Sequence, residues 1–219
     1  MSGDGEDARP GPIARTHGKQ PAPRVVETPV DIQTHELQAG SREADTLKGA
    51  DLEDLCDATE KAIEDGGGFG WLRVPSRETL ERYWQGVLAN PTRRLFVARL
   101  DGVIAGSAQL TKPTRNNEAQ AFAAHLMSAF ITPWARGHGL ARQLTERVEA
   151  AARRESVAVL KLDVRETQSA AIRLYDSMGY TRYAIDPVYA RVGGEFVRGF
   201  YYAKVLDPSV KVDWETVLA

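Results

Sequence analysis

Cysteine is almost absent from this 219-residue chain, and its one thiol, Cys56, cannot close a disulfide within it. Stability must come from packing instead, and a chain of this length can supply it, because folding hides about 70% of the surface that the unfolded chain exposes. Neither sign of charge is in excess: 28 Lys and Arg stand against 30 Asp and Glu, for a net charge of -2. That balance argues against a generally basic nucleic-acid binder. Apolar runs are short as well. None approaches the roughly 18 residues needed to cross a bilayer, and residues 1–20 lack the apolar middle of a secretory signal, so a reduced, cytoplasmic setting without a membrane is expected. Histidine is scarce, with four in all, and His17 and His35 lie far from any Cys or Asp pair, so no metal site is expected.

What is present divides the chain into a tail, one domain and a short extension. Residues 1–24 are rich in Gly, Pro and charge, with Met1 and Ile13 as their only large apolar groups, too few to offset the entropy of ordering. A disordered tail is expected over 1–24, a folded domain over 25–206 and a C-terminal extension over 207–219. A first strand is expected somewhere in 25–37.

Inside the domain, Leu52, Leu55, Cys56, Thr59 and Ile63 recur at three and four residues and predict an amphipathic helix. The glycine-rich segment that follows, Gly66-Gly67-Gly68-Phe69-Gly70, must be a loop. Ser76 suits an N-cap, and Leu80, Tyr83, Trp84, Val87 and Leu88 predict a second helix. Period two then replaces the helical period. Strand-like runs over 94–100 and 103–110 flank Asp101-Gly102, a pair suited to a tight hairpin. A third run over 121–132 stops at Pro133, a helix is expected over 139–154, a strand over 158–164 and a short helix over 169–178. Two closing strands, 181–192 and 196–206, meet at Gly193-Gly194. Hairpin-linked strands followed by helical crossovers imply an α/β (α+β) domain with a mixed sheet covered by helices.

The chemistry concentrates at Phe130-Ile131-Thr132-Pro133-Trp134-Ala135-Arg136-Gly137-His138-Gly139-Leu140-Ala141-Arg142. A strand ends, a glycine-bearing turn follows and a helix begins. The unpaired N–H groups and partial positive charge of a helix start suit a phosphate or pyrophosphate, although the same pattern also serves as a purely structural turn. Arg142 occupies the place where a dinucleotide fingerprint needs a third small residue, and no Gly-Lys-Ser or Gly-Lys-Thr of a P-loop occurs.

Here the chain resembles the GNAT superfamily, the general-control-related N-acetyltransferases that bind acetyl coenzyme A. The family signature of Arg or Gln, two residues, Gly, one residue, then Gly or Ala reads here as Arg136-Gly137-His138-Gly139-Leu140-Ala141. A second signature, Asn, two residues, Ala, two residues, Leu-Tyr, reads Gln168-Ser169-Ala170-Ala171-Ile172-Arg173-Leu174-Tyr175 and ends in Met178-Gly179-Tyr180, with Gln168 in place of Asn. The resemblance implies a mostly antiparallel central sheet, splayed at the strand before the pyrophosphate helix and flanked by about four helices. It implies pantetheine along Ala129, Phe130 and Ile131, pyrophosphate on the backbone of Arg136, Gly137, His138, Gly139, Leu140 and Ala141, and Gln168 as a further donor contact. The His138 side chain, between glycines, is expected to face solvent.

The same resemblance makes Tyr175 the acid that protonates the departing thiolate, although its helical position also suits a core aromatic. His125 takes the position of the family's base, and its ordinary pKa near 6.5 suits that task. A histidine that only bonds within the sheet fits too, because a bulge would invert its parity, and water relayed through Ser128 is an alternative base. Phe69, Trp71 and Tyr83, with Tyr189, Tyr201 and Tyr202 of the closing hairpin, are candidates for the acceptor pocket. The implied protein is a monomeric or homodimeric acetyl-CoA-dependent N-acetyltransferase acting on a small primary amine, without metal or nucleic acid. Alternatives are acetylation of proteins or peptides and a non-catalytic acyl-CoA sensor.

Overall fold

The computed structural model describes residues 38–66 and 70–214. The expected tail over 1–24, the first-strand segment 25–37 and Phe69 lie outside the described residues. The first described strand, β1, comes just after that segment, at Ala39–Ala44. Its sequence offers only Ala44 as a buried apolar group, too little for periodicity to betray it.

The chain continues through α1 (Asp51–Glu64), α2 (Arg77–Ala89), β2 (Arg93–Leu100), β3 (Val103–Thr111), β4 (Ala123–Ile131), α3 (Leu140–Arg154), β5 (Val159–Arg165), α4 (Ser169–Ser177), β6 (Thr181–Val192) and β7 (Glu195–Val205). These strands form one seven-stranded sheet in the order β1-β2-β3-β4-β5-β7-β6. Every neighbouring pair is antiparallel except β4–β5. Asp101 and Gly102 take φ of 50° and 85° in the β2–β3 turn, the all-positive geometry that a two-residue hairpin requires.

Helices cover the sheet on both faces, and β2 is apolar on both for that reason. Leu95 and Val97 pack under α1 and α2 with Leu55, Leu80, Trp84 and Ile104, while Phe96 and Ala98 join Leu126, Leu144, Val148, Leu160 and Leu162 in the core under α3 and α4. The Ser76 hydroxyl caps α2 by accepting from Thr79 N. Between the first two helices, the buried Trp84 donates its Nε1–H to Thr59 Oγ1 at 3.1 Å, and that hydroxyl donates to the Leu55 carbonyl at 2.6 Å, so the polar atoms of this pair are satisfied. Cys56 is fully buried beside them, and burial pushes its thiol up to about 11. On the opposite face the buried Glu149 of α3 receives Lys204 Nζ from β7 at 2.7 and 2.9 Å, with Arg153 at 3.0 Å, which ties α3 to the sheet.

The layer of α1 and α2 ends at β4. Beyond it, Lys161, Asp163 and Arg165 alternate along β5 with the buried Leu160, Leu162 and Val164, and Asp163 is exposed. No described helix of this protein is long and apolar enough to cross a membrane.

Candidate active site

Two local irregularities of β4 create the site. Its pairing with the parallel β5 runs only from Ala123↔Val159 to His125↔Lys161, after which the two strands part. Its pairing with β3 continues to Gly106↔Ile131, but the register jumps, with Gln109 opposite Met127 and Ser107 opposite Phe130. The extra residue is absorbed where Ser128 takes φ of 48°, which bends the strand and re-aims the residues after it. Gly106 lets β3 follow this bend, since a Cβ there would come within 2.3 Å of the Phe130 carbonyl oxygen.

A groove of about 590 Å³ opens between the parted strands. Ala129, Phe130 and Ile131 form one wall, and Arg136, Gly137, Gly139, Leu140 and Ala141 line it at the start of α3. Gly137 and Gly139 take φ of 87° and 73°, a turn that L side chains adopt only with strain. No side chain caps α3 and no acidic residue stands in its first turn, so the positive end of the helix faces the groove without a competing carboxylate of its own. His138, between the two glycines, is exposed and is not among the groove-lining residues. Gln168 lines the other wall, at the N-terminus of α4.

The end of α1 reaches both walls. Arg136 pairs with Asp65 at 2.5 Å, while Gln168 donates its side-chain N–H to the Gly66 carbonyl at 2.8 Å. The amide that stands in place of the family's Asn thus ties the start of α4 to this turn.

A second cavity, about 820 Å³, lies on the face that α1 and α2 leave open. Trp71 and Tyr83 line it with their rings edge-on, 5.1 Å apart. The Tyr83 hydroxyl accepts from Gln109 Nε2 at 3.0 Å and lies 3.3 Å from Ser128 Oγ at the bulge, which fixes the ring on the cleft wall. Ala129, Gln168, Ala171 and Tyr175 line both cavities. Tyr175 is only 5% exposed, packs edge-on against Tyr180 at 5.6 Å, and so has the core role and the site position together. Burial first, and then the charge of Asp163, raise its pKa above the ordinary 10, so the phenol stays protonated at neutral pH.

His125 is the exposed residue at the last β4–β5 pair, opposite Lys161, and opposite Thr111 on β3. It precedes the bulge and shares the sheet face of Met127, which lines the outer cleft, but His125 itself lines neither cavity. Partial burial and the charge of Lys161 lower its pKa below 6.5, and Asp163 opposes them.

Several lining residues escaped the sequence reading. Asp163 and Arg165 face the outer cleft, and the period-two pattern of β5 was their signal: polar Lys161, Asp163 and Arg165 lie on a strand whose alternate positions are core. Arg191 comes from the closing hairpin, beside Tyr189, which the sequence did offer as a pocket candidate. Asp65 carried no signal, because a cross-groove ion pair depends on a distant partner, and Ser128 was read as a water relay but not as the bulge.

Comparison with known proteins agrees with this geometry. Residues 54–180 match the model of the acetyltransferase (GNAT) family. An uncharacterized N-acetyltransferase encoded in the hisH-hisA intergenic region of Azospirillum brasilense is 66% identical over 124 residues, which make up 57% of this chain and 74% of that protein. Among solved structures, yncA of Salmonella typhimurium, determined with its cofactor acetyl-CoA, shares the fold at a TM-score of 0.66 and 21% identity, over 80% of this chain and 98% of that one. An N-acetyltransferase from Staphylococcus aureus Mu50 gives a TM-score of 0.67 at 19% identity, over 78% and 99%.

Proposed function

The chain belongs to the acetyltransferase (GNAT) family, and from that premise we propose that it moves an acetyl group from acetyl-CoA to the primary amine of a small molecule, by direct attack while both are bound. The observation that carries this reading is Tyr175, a phenol kept protonated at the one place where the groove and the outer cleft meet.

The groove suits the donor. Its glycine turn and uncapped helix start would hold the pyrophosphate through backbone N–H groups of residues 137–141, and the wall of Ala129, Phe130 and Ile131 would carry the pantetheine. Gln168 stands beside it on the opposite wall. Bound acetyl-CoA supplies a thioester whose acetyl carbon accepts the amine nitrogen while the carbon–sulfur bond breaks. Tyr175 gives its proton to the departing sulfur. The nitrogen sheds two protons on its way to the amide: the first passes to His125 through water, since the ring shares the cleft's sheet face without lining the cleft, and the second returns through water to the Tyr175 oxygen. Trp71 and Tyr83 form the apolar wall against which the acceptor packs. Holding amine and thioester in near-attack geometry is itself worth roughly 7 to 11 kcal/mol, so positioning supplies the larger share and proton transfer the rest.

Titration calorimetry with acetyl-CoA and a coenzyme A release assay over a panel of primary amines test the reading independently. Donor binding together with acetylation of at least one small amine is expected. Binding without turnover on any amine or peptide would leave a sensor, and turnover on peptides alone would move the acceptor to the protein class.

A further inference from the structure

The outer cleft carries charges of both signs in a fixed arrangement. Among the described residues lining it, Asp163 is the one carboxylate and Arg165 and Arg191 are the two guanidinium groups. Asp163 and Arg165 are two residues apart on one face of β5, so their attachment points are about 6.5 to 7 Å apart. From that spacing the short Asp and the long Arg side chains can converge on one small molecule that carries both charges. The charge of Asp163 also acts on both groups proposed to move protons, adding to the rise at Tyr175 and opposing the fall at His125.

The carboxylate is held in place by a short chain of packing. Tyr189 donates its O–H to Asp163. The Tyr189 ring in turn sits on Gly199 of β7, where a Cβ would come within 2.1 Å of the ring's Cγ, and meets Tyr201 edge-on at 6.1 Å. Gly199 pairs with Arg165, so the bare backbone beneath the ring belongs to the same part of the cleft. Arg191 is set by its own hairpin, donating Nε–H to the Gly194 carbonyl at 3.1 Å with its guanidinium over Phe196.

We propose that the acceptor is dipolar, a primary amine that also carries a carboxylate or similar oxyanion, with Asp163 binding the ammonium and Arg165 and Arg191 the anion. This rests on the acetyl-transfer reading above. A purely cationic amine uses only the carboxylate of this lining, whereas a dipolar one meets groups of both signs. Asp163 and the arginines are specificity-determining residues, while Tyr189 and Gly199 position Asp163.

Matched pairs of acceptors test the assignment with the full chain: leucine against 3-methylbutylamine, phenylalanine against phenethylamine, and 4-aminobutyrate against butylamine, each read as kcat/KM for coenzyme A release. The carboxylated member is expected to be preferred by about tenfold or more, as for loss of a charge-assisted hydrogen bond. Arg165→Gln and Arg191→Gln should shrink that ratio. Asp163→Asn should lower kcat/KM for both members by about 10- to 100-fold and leave acetyl-CoA affinity by calorimetry unchanged. Tyr189→Phe keeps the ring on Gly199 but frees the carboxylate, so it should raise acceptor KM with kcat and donor affinity preserved. Gly199→Ala pushes the ring off its seat and should raise acceptor KM in the same way, with a lowered unfolding midpoint from the clash. Equal turnover of the two members of each pair, or a preference that survives both arginine substitutions, overturns the dipolar assignment while acetyl transfer stands. Donor binding without acetylation of any member removes the small-molecule reading and this assignment with it.

Discussion

β4 has two neighbours and meets them in opposite ways. Toward β3 it stays paired from Thr111↔His125 to Gly106↔Ile131, and the layer above is closed by α1 and α2, with Leu55, Leu80 and Trp84 fully buried. Toward β5 it lets go after His125↔Lys161, and both cavities open along that parting. One strand thus serves a sealed half and an open half. The closed side holds the core under α1 and α2 and the open side holds the candidate site, so substitutions on the two sides should change different observables.

The sharpest contrast is expected from two aromatic residues. Tyr175→Phe keeps the ring against Tyr180, so turnover should fall about 10² to 10⁴-fold with acetyl-CoA affinity and unfolding midpoint nearly unchanged. Trp84→Ala should do the reverse. Emptying a fully buried site and leaving Thr59 Oγ1 without its donor should cost about 3 to 5 kcal/mol in denaturant unfolding, while donor affinity of the folded fraction is retained. If Trp84→Ala lost donor binding selectively, the two halves would not be separable.

A smaller effect is expected at the turn itself. Gly139→Val forces a β-branched residue into φ of 73° and crowds the pyrophosphate, so donor affinity measured by calorimetry should weaken by about tenfold or more. The smallest concerns pH. If neutral His125 is the base, the rate falls as pH drops through its pKa, which lies below 6.5 because of burial and Lys161. Lys161→Gln removes the like charge, so the pKa should rise and the acid limb should move to higher pH. An acid limb indifferent to both Lys161→Gln and His125→Ala would assign the proton to another acceptor. The same shift acts on stability. The unfolded histidine binds its proton more readily than the folded one, so His125 should make the protein less stable as pH falls below about 6.5.

The sequence reading reached different depths in the two halves. Repeating apolar spacing located α1 and α2, and Asp101-Gly102 located the hairpin, because these signals are local and each residue reports its own environment. The turn at Arg136 to Ala141 was legible for the same reason: positive φ selects glycine at 137 and 139. The bulge at Ser128 was not, since it follows from how β3 and Gly106 meet the strand, and serine announces no bend. Asp163 was overlooked although its strand alternates cleanly, because alternation tells which side a residue faces but not whether a helix covers that side. β1, with Ala44 its one buried residue, is a strand chiefly because β2 offers it an edge.

Cys56 has a practical consequence at the bench. A thiol that is fully buried and titrates near 11 presents almost no thiolate at neutral pH, so a disulfide dye that colours on free coenzyme A should record product without background from the folded protein. With one cysteine in the chain, the same dye added to denatured protein should consume one equivalent, and its rate of uptake in native buffer would time how often the sealed half opens.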